Sequence, residues 1–195
     1  MDSTFALVDH LTARQRQLVD DLVDLFLAEG FAHLTLDDLA ARLGCSKRTL
    51  YALADSKEQL AVRAVRHFFK RATEQVETAI ASTRSPARKV TRYLEAVAEA
   101  LRPAGPAFRR DLDRNAATRE VYEQNTLAAA ERVRALIDEG ITAGTFRNVS
   151  AVFVGEVVTA TMRRITSGEI GQATGLGDAQ AYAELARLVV AAIRR

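Results

Sequence analysis

With 195 residues, the chain has the length of one ordinary domain or two small ones, and its 48% apolar and 27% charged residues suit a globular protein. A single cysteine, Cys45, excludes an intrachain disulfide framework and any zinc site needing two or more thiolates, and the longest apolar run, Leu188 to Ile193, falls far short of the ~20 residues that span a membrane. Charge is nearly balanced, 27 Lys and Arg against 25 Asp and Glu for a net +2, which excludes a histone-like coat on nucleic acid.

The first residues, Met1-Asp2-Ser3-Thr4, show no basic region leading into an apolar stretch, so no secretory signal is expected and a cytoplasmic protein is. Three prolines and ten glycines, with Ala, Leu, Arg and Glu dominant, favour helices, whose turns cost these side chains little rotamer freedom. No stretch alternates apolar and polar residues over six positions, so the expected fold is all-α. A first helix spans about Ala13 to Glu29, with Val19, Leu22, Val23 and Phe26 on one face and Gly30 at its end. Thr35 caps a second helix, Asp38 returning the hydrogen bond, and Leu36, Leu39, Ala40 and Leu43 form its apolar side before Gly44. Ser46 caps a short third helix through Leu53. Ser56 caps a long fourth, carrying Leu60, Ala64, Phe68 and Ala72 in register, that fades near Ser82.

Pro86 suits the start of a fifth helix reaching Leu101. Pro103-Ala104-Gly105-Pro106 breaks the chain before a short piece around Phe108 to Leu112, and a long helix from about Thr118 to Glu139 is expected to stop at Gly140. Ser150 caps a helix to about Thr166. Gly168, Gly171, Gly175 and Gly177 then read as a flexible connector, because their spacing fits neither a dinucleotide fingerprint nor a P-loop. Asp178 caps the last helix, which runs to the C-terminus.

Thr35 to Leu53 has the spacing of a helix-turn-helix, with Gly44 suited to a turn needing positive φ. Leu39, Ala40, Leu43 and Leu50 fix the two short helices against the first, leaving Lys47, Arg48, Thr49 and Tyr51 toward the outside. Such a helix fits a major groove, where Arg and Lys read guanine edges and hydroxyls meet phosphates. The segments Leu25-Phe26-Leu27-Ala28-Glu29-Gly30-Phe31, Thr35-Leu36-Asp37-Asp38-Leu39-Ala40-Ala41-Arg42-Leu43-Gly44, Ser46-Lys47-Arg48-Thr49-Leu50-Tyr51 and Ser56-Lys57-Glu58-Gln59-Leu60 follow one another over about residues 14–62. Over that stretch the chain resembles the TetR family of bacterial transcriptional regulators; the remainder resembles it only in length and helical character.

The resemblance implies an N-terminal three-helix DNA-binding domain, residues 1–56, followed by a larger helical ligand-binding and dimerisation domain, residues 57–195. It implies a homodimer on a double-stranded operator, more often a repressor than an activator, released by a small-molecule effector. Thr49, Tyr51 and Lys57 match positions that meet phosphate, and Lys47 and Arg48 match positions that face bases; Thr35 and Ser46 are candidates beside them as helix-capping hydroxyls. Leu53 and Ala54 stand where the family often has His and Phe, so a backbone-contacting histidine is missing, and Cys45 replaces a frequent valine. Charge is distributed to match: Arg42 to Arg71 holds eight basic and two acidic residues, +6, leaving −4 elsewhere.

Other constellations read as structure. His10, His33 and His67 lack metal-ligand spacing, Asp20-Asp21 and Asp37-Asp38 point apart on helices, and Cys45 reads as a small buried apolar group ahead of a redox sensor. No catalytic set, metal site or cofactor is expected. In the C-terminal region Tyr93, Phe108, Tyr122, Phe153 and Met162 are candidates to line an effector cavity, with Arg109 as a candidate to orient a polar ligand. The helices at about Ser150–Thr166 and Asp178–Arg195 are apolar over a broad arc, and in the family the corresponding pair forms the dimer interface. The alternatives are a DNA-binding module with no effector, which a filled C-terminal core would favour, and an all-α enzyme, which the missing catalytic set opposes.

Overall fold

A computed structural model describes residues 11–195; His10 and the N-terminal Met1–Thr4 lie outside the described residues. Ten helices follow in order: α1 (Ala13–Glu29), α2 (Leu36–Arg42), α3 (Lys47–Tyr51), α4 (Lys57–Ala81), α5 (Pro86–Leu101), α6 (Pro106–Arg114), α7 (Ala116–Thr142), α8 (Ala151–Thr166), α9 (Glu169–Thr174) and α10 (Asp178–Ile193). Among the described residues β-pairing is confined to an isolated antiparallel bridge between Phe146 and Arg194, so the fold is all-α. No described helix is long and apolar enough to cross a membrane.

The chain divides into two compact units. The first comprises residues up to Phe68 together with Ala104–Val121, and the second comprises Phe69–Pro103 and Tyr122–Arg195. This differs from a division after residue 56. α4 is continuous from Lys57 to Ala81, and Leu60, Ala61, Ala64, Val65 and Phe68 on its first turns are core residues. α6 also belongs to the first unit, packing on α1, with Phe108 edge-on to Phe31 and Phe68 at ring-centroid distances of 6.2 and 5.7 Å. Phe26 and Phe31, 5.2 Å apart, extend the aromatic cluster. Each buried ring removes a large apolar area from water, and edge-on pairs add up to about 1.5 kcal/mol beyond that.

The second unit is built on α5, α7, α8 and α10, and α10 packs on both α5 and α8. Leu94, Leu136, Ile137, Val158 and Tyr182 are central and almost wholly buried. α7 does not stop at Gly140. It runs on to Thr142, because Gly140 is where the Phe146 ring returns against the helix. The glycine-rich stretch is also more ordered than a connector: Gly168 and Gly175, with φ of 83° and 75°, bracket the short helix α9.

Candidate functional site

Capping sets the two short helices of the first unit. The Thr35 hydroxyl accepts from the Asp38 amide at 3.2 Å and donates to the Asp38 carboxylate at 2.6 Å, while the Thr35 amide donates to that carboxylate at 2.8 Å. These bonds hold the Asp38 carboxyl below the usual range, so the cap is intact near neutral pH and weakens as the pH falls through that lowered value. At α3 the Ser46 hydroxyl accepts from the Thr49 amide at 3.1 Å and lies 2.9 Å from the Thr49 hydroxyl. Between the caps, Gly44 takes φ 58°, a backbone that a Cβ would strain.

Leu39, Leu50 and Leu53 are buried, which fixes α2 and α3 to the unit's core. Leu53, 2% exposed, is thus a packing residue. The opposite side of α3 is outward. Tyr51 is 51% exposed, Lys47 and Arg48 are exposed, and Thr49 is half-buried at the edge. Lys47 pairs with Asp37 at 2.7 Å, and that hydrogen bond raises the lysine's pKa, keeping it cationic. Arg48 forms no ion pair within the described residues and is the fully presented fork of donors. Cys45 is half-buried in the turn, and burial pushes its thiol up, away from a reactive thiolate.

The Lys57 ammonium donates to the Ala32 carbonyl at 2.8 Å, leaving two further N–H donors. The same turn is held from another side. One oxygen of Asp111, on α6, accepts from the Phe31 and Ala32 amides at 2.6 and 2.8 Å. Gly30, with φ 81°, admits that carboxylate: a Cβ there would lie 2.6 Å from the same oxygen. Asp111 has no local signal, since its partners are 80 and 79 positions away. Asp111→Ala is expected to lower unfolding free energy by about 2 kcal/mol, because two charge-assisted bonds vanish and the Phe31 amide is only partly reachable by water. Denaturant titration checks this, and Asp111→Asn, which keeps one acceptor, should lose less.

The candidates for an effector site separate. Tyr93, Tyr122 and Met162 line a cavity of about 250 Å³ in the second unit, with Phe69, Val76, Val97, Leu101 and Tyr182 among its other walls. Phe108 and Arg109 do not reach it: they sit on α6 in the first unit, where Phe108 is core. Phe153 is 69% exposed on α8 and lines an open groove of about 700 Å³ along α8 and α10, with Val157 and Leu188 beside it. Apolar character alone does not distinguish a cavity wall, a core ring and an outward face. Glu77 and Arg132 had no signal in sequence, being 55 positions apart, yet they meet in the cavity wall through two bonds of 2.7 and 2.8 Å. Among the described residues no group of three or more His, Cys, Asp or Glu could hold a metal ion.

Comparison with known proteins bears on the fold and on the N-terminal segment. Residues 18–64 match the family model of "Bacterial regulatory proteins, tetR family". None of the curated protein sequences matches the chain. Solved structures share the fold over nearly the whole length. A TetR transcription regulator from Haloarcula marismortui superposes with TM-score 0.79 at 16% identity, covering 95% of this chain and 100% of that one. A TetR transcriptional regulator from Chloroflexus aurantiacus gives 0.75 at 23% identity, covering 92% and 96%. A protein from Saccharomonospora viridis, described as a transcriptional regulator in complex with choline, gives 0.77 at 16% identity, covering 93% and 98%. Residues 18–64 thus match the model of the tetR family of bacterial regulatory proteins, in a chain whose fold is shared by solved TetR transcription regulators.

Proposed function

We propose that the protein is a homodimeric transcriptional repressor whose hold on an operator is released by a small molecule bound in the second unit. The observation that carries the reading is the outward face of α3, where Arg48, Lys47, Thr49 and Tyr51 stand on a helix capped by Ser46 and anchored by Leu50. In this reading Arg48 and Lys47 address base edges, while the Thr49 and Tyr51 hydroxyls, Lys57 and the capped starts at Thr35 and Ser46 address phosphates. Two such helices, one per subunit, would enter major grooves one turn apart, about 34–36 Å.

The exposed Phe153, Val157 and Leu188 on α8 and α10 support the dimer, since apolar groups of that size rarely stay in water on one contiguous strip. The cavity lined by Tyr93, Tyr122 and Met162 supports an effector, as does the choline held by the Saccharomonospora viridis neighbour. α4 offers the route of communication. It carries Lys57 in its first turn and, later in the same helix, Glu77 of the cavity wall. An effector that favours one setting of α4 over another shifts the population by its differential affinity for the two.

Band-shift titration with DNA flanking the protein's own coding region tests the reading. Specific binding at moderate salt is the expected result, and its absence overturns the proposal. Arg48→Ala should cost about 1–3 kcal/mol on the best operator and flatten preference at one base position. Lys57→Ala should weaken all DNA alike and lower the salt slope by about 2, one phosphate contact for each subunit. Uniform loss in both variants would remove Arg48 as a base reader.

A further inference from the structure

We propose that the cavity of the second unit selects an uncharged, mainly apolar small molecule bearing one carbonyl-type oxygen, which accepts a hydrogen bond from the Tyr93 hydroxyl. This rests on reading that cavity as the effector site. Its volume, about 250 Å³, lies just below the roughly 300–1,000 Å³ of most ligand pockets, which limits the occupant to something near a single substituted ring. Phe69, Val76, Val97, Leu101 and Met162 give it walls that reward apolar contact.

Charge then narrows the choice. Glu77 and Arg132 meet each other through two hydrogen bonds, so the pair adds no net charge to the wall. A cationic or anionic ligand would find its counter-charge already held in that fork, whereas an uncharged one leaves the pair, 43% and 36% exposed, undisturbed. Arg163 reaches the lining from an exposed position, where solvent screens it.

Of the polar side chains in the lining, Thr73 is exposed and Asn125 half-buried, so the polar contact falls to the more buried hydroxyls. Thr126 donates to the Tyr122 carbonyl at 2.8 Å. Thr166 donates to the Met162 carbonyl at 3.0 Å and lies 3.4 Å from the Tyr182 hydroxyl. Tyr93, in contrast, is only 5% exposed and makes no hydrogen bond with another described residue, although it lines the cavity. Burial, and after it the nearby Glu77 charge, push its pKa far up, so the phenol remains a neutral donor. A ligand oxygen placed against that cavity-lining hydroxyl takes the place of water as its acceptor.

Calorimetric titration of the full-length protein with acetophenone, ethylbenzene, benzoate and choline tests the proposal. Acetophenone is expected to bind, with ethylbenzene about fivefold weaker, the worth of one hydrogen bond. Tyr93→Phe keeps the ring and should abolish that difference while leaving the melting temperature near that of the parent. Tighter binding of benzoate or choline than of acetophenone overturns the proposal, as does no binding by any of the four, or an acetophenone preference that survives Tyr93→Phe. Band shifts with the same compounds separate the two readings. If choline or benzoate releases the operator, the effector reading stands and the uncharged ligand falls; if acetophenone binds through Tyr93 and leaves operator affinity unchanged, the effector reading alone falls.

Discussion

Gly140→Ala is expected to destabilise the protein by about 3 kcal/mol, although the substitution improves intrinsic helix propensity. Gly140 lies within α7, where alanine in place of glycine would ordinarily stabilise by about 1 kcal/mol. At this position an added Cβ would stand 2.1 and 2.2 Å from two ring carbons of Phe146. The ring has little freedom to withdraw. Phe146 is fully buried, and the Thr145 and Phe146 amides both donate to the Gly140 carbonyl at 3.0 Å, tying the returning chain to the helix it must clear. Beyond it, the Arg147 amide donates to the Ile193 carbonyl at 2.9 Å, so a shift of this turn also disturbs the end of α10. Thermal unfolding checks the prediction: about 3 kcal/mol corresponds to a fall of roughly 6–12 °C in a chain of this size. Gly140→Ala combined with Phe146→Leu should lose less than the two changes summed, because the smaller side chain relieves the clash. A rise in melting temperature for the single variant would mean that propensity outweighs the contact.

Gly140 also marks where sequence reasoning ran out, and the reason is physical. Caps are local: Thr35 meets Asp38, and Ser46 meets Thr49, three positions on, so residue types at fixed spacing reveal them. The same holds for α1, whose limits follow from its apolar stripe and Gly30, and for α5, whose start follows from Pro86. A glycine, however, reads as a terminator unless its neighbour across a turn is known, and Phe146 gives no sign of folding back. α6 shows the limit at longer range. Phe108 and Leu112 mark it as amphipathic, but nothing in nine residues says which unit it joins, and Asp111 finds its amides some 80 positions away. The cavity was legible only in part, because aromatic side chains on helices announce burial and not what they are buried beside. Tyr93 and Phe108 are alike in that respect, and the fold places one at a cavity and the other in a ring cluster.

Placing charge on the outward apolar strip should have the largest effect on DNA binding. Phe153→Glu with Leu188→Glu is expected to leave each subunit as stable as before, since the two side chains are 69% and 67% exposed and contribute little to the subunit's own core. If α8 and α10 pair across a two-fold axis, however, each introduced carboxylate meets its own copy or an apolar neighbour in the partner. Both charges would be desolvated without compensation, so the dimer should dissociate. Sedimentation would then report a monomer at concentrations where the parent is a dimer. Operator affinity should fall by about 100-fold or more, because the second recognition helix no longer binds at the high local concentration that the first one creates. Loss through misfolding is distinguished by an unchanged melting temperature of the monomer, and loss of phosphate contacts by the salt slope, which should drop by about half as one of two equivalent contact sets disappears. Leu127→Glu is the control: it is also exposed, on α7, but lies outside the groove and should alter neither assembly nor DNA binding. A doubly substituted protein that remains dimeric with parental operator affinity would place the subunit interface on another face.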